Sequence, residues 1–185
     1  MMKQGSNQGN ASIAWFKLAE LITRREREKA LNVYRLLAHS FERKAYALQL
    51  EGDILWSLDD KAALEKYRQA AFLYHKEKQW VDAAGICEHL YTMNPHDVEV
   101  LSHLIRYYTL LEWPERFSVR INDFVLLVEK KVAQGHQFIS AIKNIVEDVA
   151  AHEEVHTRNW LAQQLEVVLP RLGNECVDQL RLILD

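Results

Sequence analysis

The amino-acid sequence predicts an all-α protein, and three observations carry that expectation. From Ala11 onward apolar residues recur at spacings of three and four, which places them on one side of a helix. No window shows the strict alternation or the β-branched runs of a strand. Only 6 Gly and 3 Pro among 185 residues leave little material for turns, so the segments between turns are long.

Each element follows in order. Met1 to Asn10 is rich in Gln, Asn, Gly and Ser, lacks the apolar stretch of a secretory signal, and is expected to be a flexible lead-in. A first helix carries Trp15, Leu18, Ala19 and Ile22 on its apolar stripe. The charged run from Arg24 to Lys29 separates it from a second, with Ala30, Tyr34, Leu37 and Phe41. A third and a fourth helix are expected from Lys44 to Leu58 and from Lys61 to Glu77. Asp60 is well placed to cap the fourth. A fifth, from Trp80 to Met93, stops at Asn94-Pro95, after which Asp97 offers a cap to a sixth running to Leu111. Pro114 suits the first turn of a seventh helix carrying Phe117, Ile121, Phe124 and Val128, and Gly135 is expected to end that helix or follow its end closely. Phe138 to Ala151 and Val155 to Val168 read as one broken or two separate helices, and Pro170 and Gly173 introduce a last one to Leu184. The periodicity thus predicts roughly nine or ten helices.

Composition narrows the function classes. With 23 basic against 26 acidic side chains and a formal net charge of −3, no overall positive field draws in a phosphate backbone, so nucleic acid is not expected as a partner. Charges interrupt every hydrophobic segment, which excludes membrane insertion of a spanning helix and leads to the expectation of a soluble, cytoplasmic protein. Cys87 and Cys176 form no CxxC pair, so neither a disulfide framework nor a zinc knuckle is expected.

Self-comparison reveals an internal period of about 33 residues, the mark of stacked helical repeats. It takes Trp15, Leu18, Ala19 and Ile22 to Leu48, Glu51, Gly52 and Leu55, and Ala30, Tyr34 and Leu37 to Ala63, Tyr67 and Ala70. The same step carries Ala19 and Gly52 on to Gly85, three small residues where paired helices are expected to approach closely. A second phase is also present. Tyr67, Ala70, Ala71 and Tyr74, followed by Ala83, Cys87, Leu90 and Pro95, resemble the tetratricopeptide repeat (TPR) over one unit of about 34 residues, with Cys87 in place of the usual aromatic. A following unit uses Leu101, Leu104, Ile105 and Tyr108, but Phe117 stands where that family has a small residue. The resemblance covers roughly 120 residues.

That resemblance implies a right-handed α-solenoid of antiparallel helix pairs over residues 11–132, with C-terminal helices, residues 133–185, packing on the stack as a cap. It also implies an interaction scaffold or adaptor that holds a peptide or partner helix in its groove, without a cofactor. If the helix from Lys61 to Glu77 lines that groove, Arg68, Phe72, His75 and Lys76 face outward and Arg106 joins them from the sixth helix. These groups suit an acidic or C-terminal carboxylate. Exposed apolar ends of a short solenoid also allow homo-oligomers.

One motif points to another class. His152, Glu153, Glu154, Val155 and His156 spell HExxH, in which two His one helical turn apart ligate zinc and the Glu activates water. Glu175, after Asn174, lies at a spacing that resembles the gluzincin peptidases, giving an alternative reading as a zinc peptidase with His152, His156 and Glu175 as ligands and Glu153 as base. Against it, Thr157 to Val168 contains no helix breaker, so the helix carries the chain roughly 18 Å beyond His156 before it turns. Those peptidases also have a β-sheet upstream, where this chain has only helical patterns.

Overall fold

A computed structural model describes residues 5–151, 155–172 and 174–184. Among these the chain forms ten α-helices and no strand: α1 (Gly5–Thr23), α2 (Arg27–Ala38), α3 (Lys44–Ser57), α4 (Ala62–Lys76), α5 (Trp80–Met93), α6 (Val98–Leu110), α7 (Pro114–Glu129), α8 (Gly135–Ala151), α9 (Val155–Glu166) and α10 (Asn174–Leu184), with one 3-10 turn at Leu169–Arg171. No described helix is long and apolar enough to cross a membrane. α1 already begins at Gly5, inside the stretch expected to be a flexible lead-in. Gly, Asn, Ser and Gln carry weak helix propensity and left no signal there.

The local chemistry at the helix starts is as the residues suggest. The Asp97 carboxylate accepts from the Val100 N–H at 3.1 Å, capping α6, and the Asp60 carboxylate accepts from the Ala62 N–H at 2.9 Å at the entry to α4. Pro114 opens α7. The helix ends were less legible. Arg25, Asp59, Lys78, Glu112 and Lys131 all have positive φ, between 50° and 59°. At four of them the following N–H reaches back to close the last turn, as in Glu26 to the Leu21 carbonyl and Val132 to the Leu127 carbonyl, both at 2.9 Å. Lys131 therefore ends α7, and Gly135, expected near that end, instead opens α8 with an ordinary negative φ.

The chain divides into two compact units, one up to Lys78 and one from Gln79 onward, a division that falls inside the region expected to form one repeat stack. In the first, α1 packs on α2, α2 on α3 and α3 on α4. Its core contains Leu18, Leu21, Ala30, Tyr34, Ile54, Leu55, Tyr67 and Tyr74. Buried tyrosines need partners for their hydroxyls. Tyr67 donates to Asp53 Oδ1 and Tyr74 to Gln49 Oε1, each at 2.8 Å, and Tyr34 donates to the Ala47 carbonyl.

Of the three small residues expected at close helix approaches, Gly52 alone serves that purpose. A Cβ there would stand 2.8 Å from the Tyr67 ring. Ala19 is exposed, and a Cβ on Gly85 would meet nothing within 4 Å. The reason is register. Arg25 and Asp59, the matching left-handed ends of α1 and α3, stand 34 residues apart, so a step of 33 lands one residue off and rotates the side chain by about 100°. Trp15, placed on the apolar stripe of α1, is likewise partly exposed, and Leu21 takes its place in the core.

In the second unit α6 is central, packing against α5, α7, α8 and α9. Val100, Leu101, Leu104, Ile105, Tyr107 and Tyr108 are all buried, the pattern of a helix covered on most sides. α8 packs on α7, α9 and α10 as well as α6. Phe138 of α8 meets Phe124 of α7 edge-on with centroids 5.0 Å apart, and Trp160 of α9 meets Phe117 at 5.1 Å. Of the helices after residue 132, α8 thus packs on α6 and α7, α9 on α6 and α8, and α10 on α8.

Candidate functional site

Two surfaces carry the residues that the sequence singles out, one in each unit. The first is the outer stripe of α4. Tyr67, Ala70, Ala71 and Tyr74 commit one side of this helix to the core. Leu64, Arg68, Phe72 and Lys76 follow at intervals of four, which keeps them together on the other side. Phe72 is 55% exposed, and the Lys76 ammonium sits 4.7 Å from the centre of its ring, a cation–π contact that pre-orients both. His75, expected among them, is half-buried at the edge of this stripe.

Arg106 belongs to the second unit and differs in kind. Its side chain is only 17% exposed, and its Nε lies 3.1 Å from Asp148 Oδ2 of α8. It lines a groove of about 430 Å³ between α6 and α8, together with Ser102 and His103 on one wall and Gln137, Ser140 and Asn144 on the other. The expected outward cation is therefore neutralised by a carboxylate of the same unit. The α8 wall was not anticipated. Its polar residues fall between Phe138, Ala141, Ile142 and Ile145, which are buried, and that alternation at helical spacing was the available signal.

A second polar cluster, also unanticipated, joins α5 and α7. Arg120 clasps Glu88 with two bonds, Nε to Oε1 at 3.0 Å and Nη2 to Oε2 at 2.6 Å, and reaches Asp123 Oδ2 with Nη1 at 2.7 Å. Its guanidinium lies 4.5 Å from the Tyr91 ring centre, and the Tyr108 hydroxyl also donates to Glu88. Burial alone would raise the Glu88 carboxyl, but the hydrogen bonds from Arg120 and Tyr108 together outweigh it and hold it below its ordinary value. Burial and the Glu88 bond push the Tyr108 phenol up to about 12. Every charge here has an opposite partner, so the cluster pins helices and offers no reactive group.

Of the HExxH motif, His152, Glu153 and Glu154 lie outside the described residues, while His156 falls within α9. Glu175 is in the first turn of α10. The adjacent Cys176 Sγ stands 2.8 Å from the position of a Cβ on Gly135, so this turn lies against the start of α8. Ala151, the last residue of α8 before the motif, is at the other end of a 17-residue helix, about 25 Å away at 1.5 Å per residue. Among the described residues no group of three His, Cys, Asp or Glu side chains is arranged to hold a metal. Neither cysteine forms a disulfide; Cys87 is buried and Cys176 partly so.

The class these features define is an all-helical protein of sequentially packed helices with polar and aromatic surface stripes. In comparison with known proteins the chain matches no family model, no curated protein and no solved structure.

Proposed function

We propose that this chain is a protein interaction scaffold, a TPR-like right-handed α-solenoid of antiparallel helix pairs in which the outer stripe of α4 holds an acidic segment of a partner. The observation that carries the reading is Phe72, an aromatic side chain 55% exposed on a helix whose other side is fully committed to the core. Lys76 lies over its ring and Arg68 stands one turn before it. An aromatic anchor flanked by cations suits a partner with a carboxylate next to an apolar residue. Antiparallel pairing is supported by the α3–α4 bonds, in which Tyr67 meets Asp53 whereas Tyr74, further along, meets the earlier Gln49. The 34-residue interval between Arg25 and Asp59 equals the length of the resembled repeat. In this reading the protein works in the cytoplasm without a cofactor.

Fluorescently labelled helical peptides that alternate Glu with single Leu or Phe residues test the proposal by polarisation. Binding is expected to weaken as salt rises, because exposed charge pairs are screened, and to fall at least tenfold in the Arg68→Glu, Lys76→Glu variant and in Phe72→Ala. Equal binding of a Gln-for-Glu control peptide, or binding unchanged in these variants, would remove α4 as the site. Arg106→Glu is not an equivalent probe, because it places a second carboxylate beside Asp148 and perturbs the α6–α8 packing itself.

A further inference from the structure

We infer that the groove between α6 and α8 is a second binding site, distinct in chemistry from the α4 stripe, and that it takes an uncharged, extended internal stretch of another polypeptide through its backbone. Three observations lead there. First, the groove is electrically closed at Arg106, whose guanidinium is engaged by Asp148 at 3.1 Å. A ligand carboxylate would have to displace that partner, so a terminal carboxylate gains little. Second, the α8 wall presents amides and a hydroxyl, Gln137, Ser140 and Asn144, all exposed into the groove's opening. An amide side chain both donates and accepts, which matches the N–H and C=O that each peptide unit offers. Gln137 already uses its oxygen on the Gln134 N–H at 2.7 Å, so its NH₂ is the group it brings to a ligand carbonyl. Asn144 brings both functions.

Third, the dimensions fit. Gln137 and Asn144 are two turns apart, about 10 Å along the helix, and an extended chain covers that distance in about three residues. Ser102 and His103 form the opposite wall. Ser102 donates to the Val98 carbonyl at 2.7 Å, which leaves its oxygen as an acceptor for a peptide N–H. The His103 ring stacks on buried Tyr107, with centroids 6.2 Å apart, so this side of the groove is held rigid. Glu99 and His136 also line the groove of about 430 Å³, and the Glu99 carboxylate further disfavours a ligand carboxylate, so these walls read backbone.

The test is selection of random linear peptides displayed internally on a carrier protein, using the full chain as bait, followed by calorimetry of the selected peptides in C-terminally amidated and free-acid forms. We expect enriched peptides of low charge that bind equally in both forms. They should lose at least tenfold in affinity to Gln137→Ala, Asn144→Ala and remain unaffected by Phe72→Ala. The Phe72 arm separates this site from the α4 surface, so either can fail alone. Should the double variant melt much below the native chain, Asn144→Asp serves instead, because it keeps the shape but removes the donor. Failure to enrich any peptide, a requirement for the free carboxylate, or affinity unchanged in these variants would overturn the proposal.

Discussion

Gly52→Ala and Gly85→Ala add the same methyl group to two helices, and the surroundings decide the sign. At position 52 the new Cβ would stand 2.8 Å from Tyr67 Cδ1 and Cε1. That ring cannot swing aside cheaply, since it is 1% exposed and its hydroxyl is held by Asp53. Overpacking of this kind costs about 1–3 kcal/mol, more than the ~1 kcal/mol that alanine gains over glycine in a helix. Gly85 faces open space, so only the propensity gain remains. Urea unfolding is expected to show Gly52→Ala destabilised and Gly85→Ala stabilised by roughly 1 kcal/mol. The Glu88–Arg120 pair adds a pH dependence. The Glu88 carboxyl is held below its ordinary value of 4.5 in the folded chain. Its contribution is therefore fully present above that value and disappears as pH falls through the lowered one. Glu88→Gln should cost about 2 kcal/mol at neutral pH, and the difference from the native chain should shrink in unfolding curves taken below pH ~4.5.

At the scale of elements, the helix ends carry unrelieved strain. An L-residue in the left-handed region costs about 1–2 kcal/mol, and Arg25, Asp59, Lys78, Glu112 and Lys131 all occupy it. Lys131 is exposed, whereas Asp59 pairs with Arg25 and Glu112 accepts from Thr157 at 2.9 Å. Lys131→Gly should therefore raise stability by roughly 0.5–1 kcal/mol after the added chain entropy of glycine is subtracted, measured as a higher melting temperature. The positions of these residues also explain the two phases of the repeat. The interval of 34 from Arg25 to Asp59 recurs from Lys78 to Glu112, and the interval of 19 from Asp59 to Lys78 recurs from Glu112 to Lys131, so the two-helix step appears twice, once starting at α1 and once at α4. Boundaries were legible where the residue itself carries the chemistry, as at Asn94-Pro95, Asp97 and Pro114. Ends made by Arg, Glu or Lys gave no such sign, because nothing in those side chains prefers positive φ; Asp does visit that region, but Asp59 stands beside Asp60 where both read as helix-start acceptors. The same limit divides the candidate site. The α4 stripe follows from local periodicity and was readable, but the fate of Arg106 depends on Asp148, a partner brought in by packing of α8, and no local pattern encodes it.

At the scale of the whole molecule, the division after Lys78 has a thermodynamic consequence. Each unit has its own buried residues, from Leu18 to Tyr74 in one and from Ala83 to Leu180 in the other. In chains built by stacking short elements, stability is approximately a sum of local terms, and opening can be confined to part of the chain. Gly52→Ala supplies a perturbation lodged wholly inside the first unit, against Tyr67. Native-state hydrogen exchange is expected to show faster exchange in the amides of α1 to α4, with the protection of α5 to α10 unchanged. Lys131→Gly should act in the opposite sense and on the second unit alone, slowing exchange there. Acceleration spread evenly over all ten helices by Gly52→Ala would mean that the chain opens as one cooperative body. A partner bound at α4 would then also stabilise the groove between α6 and α8. With separate units, each surface can be occupied without raising the stability of the other.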